Sequence, residues 1–126
     1  MAKFAINDYL HPVRGNLFDD WRGELQKKER AKLDNKIDAL SLHGLELIPG
    51  MAAPTGIALI FKLRVQGAVK LRPLFCEGPR DIGFTLLMGA KEIQSEWEPA
   101  NAPTTAAGFR DDLVAHPERK RERIKA

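Results

Sequence analysis

The residues from Ile57 to Val65 constrain this chain more than any other stretch. Ile57, Leu59, Phe61, Leu63 and Val65 alternate with Ala58, Ile60, Lys62, Arg64 and Gln66. A period of two places the two sets on opposite faces of a strand with one covered side. After Gly67, Val69, Leu71 and Phe75 alternate in the same way with Lys70, Arg72 and Cys76. A third strand is expected beyond the Gly78-Pro79 turn, with Ile82, Phe84, Leu86 and Met88 sharing a face. Neighbouring strands must send their apolar residues to the same side of the sheet, and pairing Val65 with Val69 meets that condition. This register sets Arg64 beside Lys70 and Lys62 beside Arg72, so that four cations share the other face. Like charges directly across a strand pair are destabilising, so this face is either the solvated side of a two-layer sheet or one over which an anion normally sits. Pro73 has no N–H for the ladder, so an edge position or a bulge is expected there.

The remaining elements follow from caps and breakers. Phe4, Ile6 and Leu10 suggest a short first strand, broken by His11-Pro12 and Gly15. Asn16 can cap a helix, with Asp19 and Asp20 favourably placed at the positive end of its dipole. From there Phe18, Trp21, Leu25, Leu33, Ile37 and Leu40 recur at helical spacing, interrupted by Lys27, Lys28, Glu29 and Arg30. The pattern allows one long helix or two folded as a hairpin near Gln26 to Lys28, with Gly44 as the stop. Residues Gly44 to Gly56 read as a connecting loop. Its glycines make no nucleotide loop, because no Gly-Lys-Ser or Gly-Lys-Thr follows. Beyond Lys91, Glu92 and Trp97, Glu98-Pro99 leads into a helix that includes Ala106, Ala107, Phe109, Leu113 and Val114, and Pro117 ends it. Glu118 to Arg123 reads as a frayed helix or a tail.

Composition narrows the classes. At 126 residues and 44% hydrophobic content, residues 1–126 suit a single domain with one core. The balance of 20 basic against 17 acidic residues gives only +3, so the position of the charges matters more than their sum. Cys76 is the sole cysteine, which excludes an intrachain disulfide and favours a reducing, cytoplasmic setting. No stretch is apolar for long enough to span a bilayer, and no membrane partner is expected. His11, His43, His116 and Cys76 show no ligand spacing, so no metal or cofactor is implied. Cys76 suits a buried strand position better than a nucleophile's. Trp21 lies on the apolar helix stripe and reads as core, whereas Trp97 divides evenly between core and base stacking.

Taken in order, these segments resemble the phage-derived, HigB-like branch of the RelE/HigB toxin superfamily. Leu17-Phe18-Asp19-Asp20-Trp21-Arg22-Gly23-Glu24-Leu25 is similar to that branch's opening helix. Lys62-Leu63-Arg64 and Leu71-Arg72-Pro73-Leu74 are similar to its two adjacent basic strands, and Phe84 to Ala90 followed by Lys91 to its last core strand. Glu98-Pro99 before the last helix also fits. The resemblance implies an α+β fold: an N-terminal helical hairpin packed on a twisted antiparallel sheet, with a C-terminal helix. It further implies a toxin of a type II toxin–antitoxin pair that cuts messenger RNA without a metal, on or off the ribosome, and a small helix-turn-helix antitoxin as partner. Arg64 and Arg72 match the family's phosphate-handling arginines. Lys62, Lys70 and Lys91 join them as RNA-binding candidates from the strand argument. The sequence departs from the best-studied nucleases in that no Tyr or His follows the last core strand.

Two functional classes result. In a metal-free ribonuclease, Arg64 and Arg72 would stabilise charge on the phosphoryl oxygens. Lys70 would act as base, with Lys62 or Lys91 in its place, its pKa depressed by neighbouring cations. In a non-catalytic binding module, the same fold and basic face would only hold RNA or a protein.

Overall fold

The alternation around Leu63 and the denser apolar run from Phe84 to Met88 meet different fates in the computed structural model, which describes residues 4–79 and 82–123. Among these residues the chain runs β1 (Ala5–Tyr9), α1 (Leu17–Gly23), α2 (Lys27–His43), β2 (Ala52–Pro54), β3 (Phe61–Leu63), β4 (Lys70–Leu71), β5 (Leu74–Glu77), β6 (Gly83–Met88), β7 (Lys91–Ile93), β8 (Glu96–Glu98), α3 (Ala102–Ala115) and β9 (Lys120–Glu122). One sheet of six strands has the order β2-β3-β5-β6-β1-β9, and β4, β7 and β8 form a second, antiparallel sheet. The fold is α+β, with two N-terminal helices and a C-terminal helix. No helix of the described residues is long and apolar enough to cross a membrane.

Every residue of β6 is buried, because helices cover both sides of the large sheet. On one side Ile6, Leu63, Phe75, Phe84 and Leu86 meet Phe18 and Leu25, and Leu33, Ile37 and Leu40 of α2. On the other, Tyr9, Leu74, Cys76, Leu87 and Met88 meet Ala102, Ala106 and Leu113 of α3. Each fully buried Leu or Phe contributes about 1.5–3 kcal/mol relative to exposure.

The N-terminal apolar stripe forms two helices rather than one. Asn16 caps α1 by accepting from the Asp19 backbone N–H at 3.0 Å. The chain then breaks before Lys27, where the Gln26 N–H donates to Glu29 Oε1 at 3.0 Å. Arg22 holds the two helices together through paired bonds of 2.9 and 2.6 Å to Asp34. Gly44, at φ 59, terminates α2. Trp21 closes directly onto Gly89, where a Cβ would sit 1.8 Å from the indole, so glycine is what lets α1 approach the sheet.

Several expectations need correction. Of the stretch Ile57 to Val65 only Phe61–Leu63 is strand, because Leu59 takes φ 67 in a turn that exposes Ile57 and Leu59 and buries Ile60. The segment from Gly44 to Gly56 is not only a loop, since β2 lies in it and pairs with β3, and Ile82 lies exposed outside β6. The large sheet is mixed rather than wholly antiparallel, since β1 pairs parallel with β6 and antiparallel with β9. Long connections join β1 to both neighbours, so no hairpin dictates its direction. The pairing of Val65 with Val69 is displaced by two residues: Val65 faces Leu71, and Lys62 faces Leu74. The connecting loop is correspondingly longer. The interruption expected at Pro73 is present: the chain divides at Arg72-Pro73, where β4 joins the second sheet and β5 the first, with a register shift between Leu74 and Phe75. Finally, the Glu118 to Arg123 segment is neither helix nor tail, because β9 pairs with β1 there.

Candidate nucleic-acid interface

A two-residue change of register leaves every side chain on its original face, so the cations remain on one side of the β3–β5 ribbon. Extending the observed pairs sets Arg64 opposite Arg72. In the second sheet Lys70 lies opposite Glu92, and Glu92 lies opposite Trp97. Directly opposed residues share a face, so Lys70, Glu92 and Trp97 form a row across the three strands.

Lys62 and Arg72 converge on the middle of that row. Lys62 Nζ lies 2.8 Å from Glu92 Oε1, and Arg72 Nε lies 2.7 Å from the same oxygen. Lys62 Nζ also sits 5.3 Å from the centroid of the Trp97 ring, within cation–π range. Arg72 is only 4% exposed, and its Nη1 donates to the Leu71 carbonyl at 2.9 Å. Burial alone would raise the pKa of Glu92, but the hydrogen bonds and charges of Lys62 and Arg72 outweigh it and hold the carboxyl below its ordinary range. Glu92 is therefore ionised at neutral pH, and two cations share one anion.

The other candidates are distributed around this centre. Lys70 is exposed and, among the described residues, has no ion-pair partner. Arg64 is half-buried, and its Nη1 donates to the carbonyls of Pro49 at 2.7 Å and Gly50 at 3.3 Å. Lys91 faces away, since it neighbours Glu92 in β7 and lines a shallow pocket with Trp21, Glu24, Leu25, Glu98 and Pro99. The structure thus brings Lys62 and Arg72 into one cluster with Lys70 in the adjoining row, places Arg64 against the 49–50 loop, and sets Lys91 on the reverse face.

Sequence reasoning missed the role of Glu92. Its signal was the symmetry of Lys91-Glu92-Ile93 and Glu96-Trp97-Glu98 about Gln94-Ser95. That turn takes φ of 52° and 68° without the Asn-Gly or Asp-Gly pair that usually advertises such a hairpin.

Groups with acid, base or nucleophile chemistry elsewhere are structurally committed. The Tyr9 hydroxyl donates to Asp112 Oδ2 at 2.6 Å, and its ring stacks on Phe109. Burial first, then Asp112, push the phenol pKa far up. Asp112 is held below its usual range by the Tyr9 hydroxyl and by Arg119, which donates to its other oxygen. His11 Nδ1 accepts from the N–H groups of Val13 and Arg14 at 3.1 and 3.0 Å. Tyr9 reaches the same end of the large sheet as Arg64 and Arg72, but β5 and β6 stand between β3 and β1, a separation of about 14 Å at ordinary strand spacing. Cys76 is fully buried, and burial pushes its thiol up to about 12. Among the described residues no group of three His, Cys, Asp or Glu is placed to hold a metal ion. No family model matches the chain, and no curated protein matches it.

Proposed function

We propose that this chain binds RNA through the face carrying Lys62, Arg64, Lys70 and Arg72, as a relative of the RelE/HigB toxins that its sequence resembles. The observation that carries the reading is the local charge: Glu92 engages Lys62 and Arg72, Lys70 lies opposite it, and Arg64 stands opposite Arg72 on the same ribbon. Phosphate contacts supply most of the affinity in sequence-tolerant RNA binding. Cations beside an aromatic ring suit single strands in particular, since bases can stack while the backbone is neutralised. Trp97 is the ring available here.

The arrangement favours binding over cleavage. Stabilising a reacting phosphate needs N–H groups preorganised toward it, whereas Arg72 Nε and Nη1 are directed at Glu92 and Leu71 and must first be released.

The test is binding of single-stranded RNA by the parent and by an Arg64→Ala/Lys70→Ala variant, which leaves the Glu92 cluster intact. The variant is expected to bind about tenfold more weakly at low salt, as lost phosphate contacts require. Equal affinity would remove this face from consideration. The recovered RNA discriminates the classes, with translating ribosomes as a second substrate. Intact RNA supports a binding module. New ends bearing 2′,3′-cyclic phosphate in the presence of chelator would restore the full toxin reading, with its helix-turn-helix antitoxin as partner.

A further inference from the structure

We infer that Glu92 is an internal stand-in for an RNA phosphate, so that the β7–β8 hairpin must release Lys62 and Arg72 before these two cations engage the RNA backbone. The inference rests on the RNA-binding reading and specifies how that same face is regulated.

Geometry supports exchange. A single oxygen, Oε1, accepts from both Lys62 and Arg72. Arg72 meets it through Nε alone, rather than through the two parallel bonds that make guanidinium–carboxylate pairs strong and specific. A phosphodiester carries the same single negative charge and offers two non-bridging oxygens, one for each cation. Arg72, at 4% exposed, has no route to a phosphate while Glu92 covers it. Lys70 and Arg64 already face solvent in part, so RNA first meets these two and then competes with Glu92 for the others.

The carrier of Glu92 has few ties to the rest of the protein besides Trp97, which packs against the core cluster of Leu74 and Ala102. Strands β7 and β8 are joined by the two-residue turn Gln94-Ser95, and the hairpin pairs with the body of the protein through the two residues of β4. Glu92 and Trp97 lie opposite each other on it, so displacement of one moves the other. Lys62 currently lies over the Trp97 ring. Once Lys62 turns to a phosphate, that ring is free to receive a base.

The test uses the full chain and single-stranded RNA over a range of salt. Glu92→Gln removes the competing charge and is expected to tighten binding about three- to tenfold at low salt. Its log affinity should also fall more steeply with log salt, by about 1 to 1.5, because two further cations release counterions at roughly 0.7 each on a single strand. Glu92→Asp keeps the buried charge but shortens its reach, and should give a smaller tightening even if the glutamine variant folds poorly. Lys62→Ala should change affinity less than about twofold in the parent and clearly more in the Glu92→Gln background, as coupled residues do. If the parent binds RNA and neither Glu92 variant binds tighter, Glu92 is a structural partner only and the inference fails while the binding reading stands. If no form binds RNA, both fail.

Discussion

A guanidinium as buried as that of Arg72 is tolerable only with a charged partner, because an unpaired buried charge is costly. Glu92 is that partner, and the same oxygen serves Lys62. Removing the carboxylate with Glu92→Gln should cost about 1.5–3 kcal/mol, the range for hydrogen bonds to charged groups. The lower end applies, since Glu92 keeps 21% of its side-chain exposure. The direction of its pKa shift sets the pH dependence. A carboxyl whose folded pKa lies below its unfolded value stabilises the fold above the unfolded pKa, and that stability is lost as pH falls through the folded pKa. Thermal unfolding at stepped pH should therefore show parent and variant well separated near neutrality and converging below the ordinary carboxylate range. A gap that stayed constant down to the most acidic point would mean that Glu92 carries no such linkage.

Among the elements, β9 and the residue after it matter most for the closure of the large sheet. Asp8, 1% exposed on β1, accepts from Arg123 Nη1 at 3.0 and 2.8 Å and from Asn16 Nδ2 at 2.7 Å. Arg123 also lies over the Phe18 ring. One carboxylate thus joins β1, the start of α1 and the end of β9. Arg123→Ala should destabilise by up to about 3 kcal/mol, since it strands a buried charge, and Asp8→Asn combined with it should cost less than the two single changes added. Denaturant unfolding of the three variants checks this, and simple additivity would contradict it. None of this linkage was legible in the sequence, where Glu118 to Arg123 showed only mixed charge. What was legible depended on local physics: the period of two from Phe61 to Val65, the cap at Asn16, the stop at Gly44 and the last helix after Glu98-Pro99, whereas Ile57 to Ile60 alternate in the sequence but form a turn. The hairpin register was half legible. Apolar parity fixed which face Lys62, Arg64, Lys70 and Arg72 occupy, but parity cannot distinguish Val69 from Leu71 as the partner of Val65. The parallel pairing of β1 with β6 depends on contacts distant in the chain, which no local pattern encodes.

At the scale of the molecule, the sheet is covered by α1 and α2 on one side and by α3 on the other, so chemistry is confined to strand ends and to the small second sheet. That is where β3, β4 and β7 bring Lys62, Lys70, Arg72 and Glu92 together. The net charge of +3 is modest, and the account therefore depends on a local surface rather than on a field over the whole protein. The cation cluster was readable as a face, whereas the anion at its centre came from a segment with no apolar signature. The most direct measurement is the affinity of the parent protein for single-stranded RNA as a function of salt. In the parent, the two phosphate contacts offered by Arg64 and Lys70 predict a slope of log affinity on log salt of about −1 to −1.5. A slope near zero, or no binding at low salt, would contradict the proposal that this face holds RNA.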